Sequence, residues 1–126
     1  MKQEDKDLLV KELCTRQAYN VQVEYNGKVH SVLGISYGRL VLCEPFMSYA
    51  IDECPLVDEV KPYLFPFSSM TNEQYKIYHE LICGMFSTNV LINYEALTDF
   101  FNKNHFDYRG LIRKGLAIDC SNLNIY

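Results

Sequence analysis

His105, Asp107 and Arg109 alternate in the stretch HFDYRGLIRKGLAI, residues His105 to Ile118. A histidine that carries a proton, beside a carboxylate that orients it, is the start of an acid–base site. The cluster brings no nucleophile and no substrate-holding element with it, and such a site needs both. A structural reading explains more of the letters and leaves only His105 and Arg109 without a role. Asp107 as N-cap makes Tyr108 the first residue of a helix, with Phe106 before the cap and Leu111 at the fourth helical position, the pairing of a hydrophobic staple. Gly115 then falls where a left-handed residue ends a helix, and Leu116 can pack back on Leu111 in the Schellman manner. Arg113 and Lys114 complement the negative helix end. The spacing thus predicts a capped helix that runs into a strand over Leu116 to Cys120.

Other reactive side chains are scattered. Cys14, Cys43, Cys54, Cys83 and Cys120 include no C-x-x-C pair, so neither a zinc ribbon nor a redox motif is expected, and reduced cysteines are. His79 and the other histidines form no H-x-x-x-H pair. Gly27, Gly34 and Gly38 lack the G-x-G-x-x-G spacing of a phosphate-binding turn. Asp52, Glu53, Asp58 and Glu59 are interrupted by Pro55 and lack the ligand spacing of a calcium loop. No metal and no cofactor are expected. A net charge of -4 and a pI near 5.3 argue against an extended phosphate-neutralising surface. A local basic patch of Lys103, Arg109, Arg113 and Lys114 beside Tyr108 stays open.

The elements that would position these groups follow from patterning. With 126 residues, 48% hydrophobic and 22% charged, the chain suits one globular domain with one core. Residues Glu4 to Arg16 carry Leu8, Leu9 and Leu13 among charges, acids early and Arg16 late, which predicts a helix. Tyr19, Val21, Val23 and Tyr25 alternate up to Asn26-Gly27, a hairpin turn signal. A return strand over Lys28 to Ser36, with Gly34 at a bulge, and a third strand over Leu40 to Cys43 complete a meander. Four prolines between Glu44 and Met70 predict an irregular crossing with one short strand around Ser48 to Asp52, pinned by Tyr63, Phe65 and Phe67. Thr71 and Gln74 form a capping box with Met70 and Tyr75 as its staple, and Tyr75, Tyr78, Leu81, Ile82, Met85 and Phe86 mark one helical face. A further helix is expected from Tyr94 to Lys103, capped by Asn93 and burying Leu97, Phe100 and Phe101.

EVKPYLFPFSSMT, Glu59 to Thr71, and HFDYRGLIRKGLAI resemble recurrent motifs in small proteins of gut anaerobic bacteria and their bacteriophages. The similarity runs in order over most of the chain. That family carries no assigned catalytic or binding residues to transfer. The resemblance implies a phage or prophage setting, in which small acidic proteins are often accessory or anti-defence factors.

The fold expected is α+β: an N-terminal helix, a small antiparallel sheet or SH3-like half-barrel, two to three C-terminal helices and a closing strand. The 10 Tyr and 7 Phe suit half-buried positions and contact surfaces. The functional expectation is a noncatalytic protein-interaction or modulator protein, with His105, Tyr108, Arg109, Arg113 and Lys114 as the candidate interaction residues. The alternative is a small nucleic-acid-binding module that uses the sheet face and the basic patch. The charged N-terminus, MKQEDKDLLVKEL, and the lack of a ~20-residue apolar run lead to a soluble, cytoplasmic expectation with no membrane partner.

Overall fold

The computed structural model describes residues 1–45, 47, 49–85 and 90–126. Helix α1 (Gln3–Arg16) leads into strands β1 (Gln22–Tyr25), β2 (Lys28–Ser36) and β3 (Arg39–Cys43). Strand β4 (Lys61–Leu64), helices α2 (Asn72–Met85) and α3 (Val90–Lys103) and strand β5 (Ile118–Asp119) follow. The five strands form one sheet in the order β3-β2-β1-β4-β5. All neighbours are antiparallel except β4 and β5, which are parallel. The architecture is therefore α+β with a mixed sheet. Its outer strands, β3 and β5, do not pair with each other, and nothing in this order supports an SH3-like half-barrel. Among the described residues no helix is long and apolar enough to cross a membrane.

Asn26 and Gly27 both take left-handed φ, 51° and 76°, as a type I′ hairpin requires. The β2–β3 register slips by one residue between Val32 and Gly34, so the bulge falls where the glycine suggested. Strand alternation then sets the core. Val21 and Val23, with Val32, Leu40, Leu42 and Leu64, face α1, which buries Leu9 and Leu13 against them. A second cluster is aromatic. Phe100, Phe101 and Phe106 form its centre, with Phe65, Met70, Tyr78, Leu81, Leu97 and Tyr108 packed around it.

Three expectations need correction. The segment Ser48 to Asp52 forms no strand at its described residues; its Ile51 N–H donates one bond to Leu42 O (2.8 Å), while Ser48 lies outside the described residues. The strand of that region is β4 instead, placed between β1 and β5. Pro62 disguised it, since a proline lacks the N–H that a central strand donates. The N–H that Pro62 lacks would point to the β5 side, where Leu64 accepts from Cys120 N (3.0 Å), while on the β1 side a phenol joins the strands. Gln22 N–H donates to Tyr126 Oη (3.0 Å), and that hydroxyl donates to Tyr63 O (2.8 Å), bridging β1 and β4 one register step beyond Val23 and Pro62.

Helix α3 begins at Val90, so Asn93 lies inside it rather than at its cap. The Thr71 capping box forms in both directions, Gln74 N to Thr71 Oγ1 at 3.1 Å and Thr71 N to Gln74 Oε1 at 2.9 Å. On α2, Tyr78 and Leu81 reach the aromatic cluster and Tyr75 is exposed. Phe86, the last residue of the expected face, lies outside the described residues.

The third correction concerns the opening stretch, where the expected helix over Tyr108 to Lys114 does not form. Gly110 takes φ +74°, which breaks a right-handed helix before its second turn. Asp107 still caps, but its two carboxylate oxygens accept from Leu111 N (2.8 Å) and Ile112 N (2.9 Å), beyond the break. The stop signal is obeyed. Gly115 (φ +75°) donates to Ile112 O at 3.0 Å and Leu116 to Leu111 O at 2.9 Å, a Schellman pair that ends a single turn. The strand that follows is limited to Ile118–Asp119.

Candidate functional site

His105 follows the end of α3 at φ 60°. Its N–H donates to Asn102 O (3.2 Å) and that of Phe106 to Phe101 O (2.9 Å), so an imidazole stands at the position glycine usually fills in a Schellman motif. The next turn docks on β4: Phe65 N donates to His105 O (2.8 Å) and Asp107 N to Phe65 O (2.9 Å). His105 then meets Tyr126 of the C-terminal segment, the Tyr108 side chain and the Phe106 carbonyl reach α1, and the Phe106 ring turns into the aromatic cluster.

On the α1 side lies a buried ionic cluster. Arg16, fully buried, donates through Nε to Glu12 and through Nη2 to the Phe106 carbonyl. Glu12, equally buried, accepts at its other oxygen from Arg109 Nη1 (2.8 Å). Both guanidinium groups approach the Tyr108 ring, that of Arg16 at 5.2 Å and that of Arg109 at 4.8 Å, and the ring stacks on Phe101 at 5.2 Å. Burial pushes the Tyr108 phenol up. His105 stacks face to face on Tyr126, with centroids 3.5 Å apart.

The sequence-predicted residues thus separate into two groups. His105, Tyr108 and Arg109 are engaged inside the molecule. Arg113 and Lys114 are exposed. Asp107 does not orient His105, because both its oxygens serve the turn at Leu111 and Ile112, while His105 Nδ1 is buried with no partner among the described residues. Arg109, expected in an open basic patch, is committed to Glu12. What the cluster does chemically is fasten α1 to the 105–109 turn through one carboxylate and two cations. Among the described residues no group of three or more His, Cys, Asp or Glu gathers to hold a metal ion.

Sequence reasoning missed Glu12 and Arg16, although their spacing was a signal. With Leu9 and Leu13 they complete an i, i+3, i+4, i+7 set, which places two charged residues on the face that the leucines bury. Tyr126 carried no local signal, since its partners are 63 and 104 residues away.

Burial, followed by the Arg16 guanidinium, holds His105 down from 6.5 to about 4. The unfolded chain takes up this proton below about pH 6.5 and the folded chain only near 4, so stability is lost as pH falls through that window and levels off below it. Because the ring is partly exposed, about 2 kcal/mol is expected rather than the full value of the shift. His105→Asn, which tolerates left-handed φ and does not titrate, should lose about 2 kcal/mol less than the wild type between pH 7 and 4.5 in urea unfolding. Equal acid losses in the two proteins would contradict a neutral, buried His105.

No protein-family model, curated protein or solved structure matches the chain.

Proposed function

We propose that this chain is a noncatalytic interaction protein that binds its partner through the α2–α3 helical hairpin. The observation that carries this is the shallow burial of α2: no side chain from Asn72 to Cys83 is buried, and Tyr75 and Ile77 are 58% and 48% exposed. Tyr94 of α3 adds another exposed ring, at 57%. Exposed aromatic and aliphatic side chains on a helix pair suit a surface that a protein partner covers. His105 and Tyr108 support the hairpin from below, since their turn and the end of α3 share one hydrogen-bonded unit.

A nucleic-acid-binding role has less support. Arg109 is withdrawn into the Glu12 pair, which leaves Lys103, Arg113 and Lys114 as the exposed cations of the expected patch. Glu24, on the sheet face, adds a charge of the wrong sign.

Capture experiments with three baits separate the two roles. The wild-type chain should retain a partner at endogenous levels that Tyr75→Ser/Ile77→Ser/Tyr94→Ser loses and Arg113→Glu/Lys114→Glu keeps. All five positions are exposed, so each change should alter stability by about 0.5 kcal/mol or less. Recovery of no partner, or equal capture by all three baits, would overturn the proposal. Salt-dependent oligonucleotide binding lost in the Arg113/Lys114 variant would favour the alternative.

A further inference from the structure

The sheet has a second face, opposite α1, and a cleft of about 670 Å³ lies over it. Register places Gln22, Ser31 and Cys43 side by side across β1, β2 and β3 on this face. Asn124, Ile125 and Tyr126 wall one side, while Val29, Leu33, Pro45 and Met47 supply apolar surface. No Asp, Glu, Lys, Arg or His stands among the described residues that line it. The volume falls within the range of small-molecule pockets, roughly 300–1,000 Å³.

Gln22 is a buried polar residue of this wall, only 4% exposed. Its Nε2 donates to Asn20 O (3.2 Å), Asn20 Oδ1 (3.1 Å) and Ser31 Oγ (2.8 Å). Because carbonyl oxygens can only accept, those partners fix which end of the amide is nitrogen. Gln22 Oε1 is left buried with no hydrogen-bond partner among the described residues. A dry, unpaired acceptor costs about 1–3 kcal/mol, and a bound N–H or O–H recovers it once the Gln22 side chain, which lines the cleft, turns that oxygen toward the ligand.

We propose that the cleft binds a neutral, largely apolar small molecule that presents an N–H or O–H donor to Gln22 Oε1. No charged side chain among the described lining residues offers a counterion, so an ionic ligand is disfavoured by the cost of desolvating its charge. A peptide strand is excluded as well, because β1 and β2 are interior strands whose backbone groups are spent in the ladder. The proposal rests on the sheet face alone and does not depend on the α2–α3 hairpin.

Indole and 1-methylindole, which differ by a single donor, test it by titration into the full-length ¹⁵N-labelled chain. Indole should shift the amides of Gln22, Ser31 and Cys43 and bind about tenfold tighter than 1-methylindole, equivalent to ~1.4 kcal/mol. Gln22→Met should equalise the two probes. Leu33→Trp, which changes an exposed rim residue, should block both without unfolding the chain. The proposal fails if neither probe shifts those amides at millimolar concentration, if the wild type binds both equally, or if Leu33→Trp leaves binding unchanged.

Discussion

Glu12→Ala should destabilise the chain by about 3–5 kcal/mol, the cost of leaving a buried charge unpaired. Glu12 is the single carboxylate between Arg16 and Arg109, and both it and Arg16 are fully shielded from water. Without it, Arg16 and Arg109 share the Tyr108 ring with no carboxylate to neutralise them, and the Arg16 Nη1, already unpartnered among the described residues, is joined by a second orphaned donor, Nε. The penalty arises from stranding the cation and not from a high value of the pair itself. Replacing both members by apolar residues should therefore be milder than replacing one. Glu12→Leu/Arg16→Met is expected to recover at least half of the loss in urea unfolding, even though the Arg16 bond to the Phe106 carbonyl is also gone. A double variant no more stable than Glu12→Ala would show that the ion pair holds α1 in place by attraction and does more than neutralise itself.

The parts of this fold that were legible in sequence are those written by local chemistry. Asn26-Gly27, the Thr71 capping box, the Leu9–Leu13 spacing and the Gly115 stop each depend on residues within one turn, and each appears as expected. The failures occur where tertiary contacts override local preference. Pro62 is tolerated in a central strand because its missing N–H points to the β5 side, where the short β5 pairs only with Tyr63 and Leu64, and this placement is set by a strand from the other end of the chain. The stretch after Asp107 contains a sound helix start and a sound helix stop, but Gly110 lies between them at φ +74°. Its length was right for a helix and its backbone was not. Glycine is permissive in sequence, and only the docking of Phe106 on Phe65 shows which way it turns.

The same distinction applies to the candidate site. His105, Asp107 and Arg109 read as a catalytic grouping because they are close in sequence, yet each one answers to a different distant or local partner. His105 stacks on Tyr126, Asp107 binds the Leu111 and Ile112 amides, and Arg109 pairs with Glu12, 97 residues away. Sequence proximity placed the three groups on one turn without aiming them at one point. Conversely, Gln22, Ser31 and Cys43 come from three strands and meet only through the sheet register, which no single segment encodes.

Phe106→Ala is expected to cost a further comparable amount, about 3–5 kcal/mol, and to do so by opening a cavity. The ring is 1% exposed and makes aromatic contacts with Phe65 (6.4 Å), Phe67 (6.1 Å) and Phe100 (5.9 Å), thereby joining β4, the turn after it and α3. Phe106→Leu keeps most of that volume and should cost less than half as much. The backbone of the same residue receives the Arg16 guanidinium, so the aromatic cluster and the ionic cluster share an attachment point. A shift of Phe106 that follows the loss of its ring also moves the carbonyl that Arg16 needs. The effects of Phe106→Leu and Glu12→Gln should then be non-additive by about 0.5 kcal/mol or more in a double-mutant cycle, whereas Phe106→Leu and Leu40→Val, in separate clusters, should add. Strict additivity in the first pair would mean that the two clusters stabilise α1 and α3 independently, with the Arg16–Phe106 bond contributing nothing to their coupling.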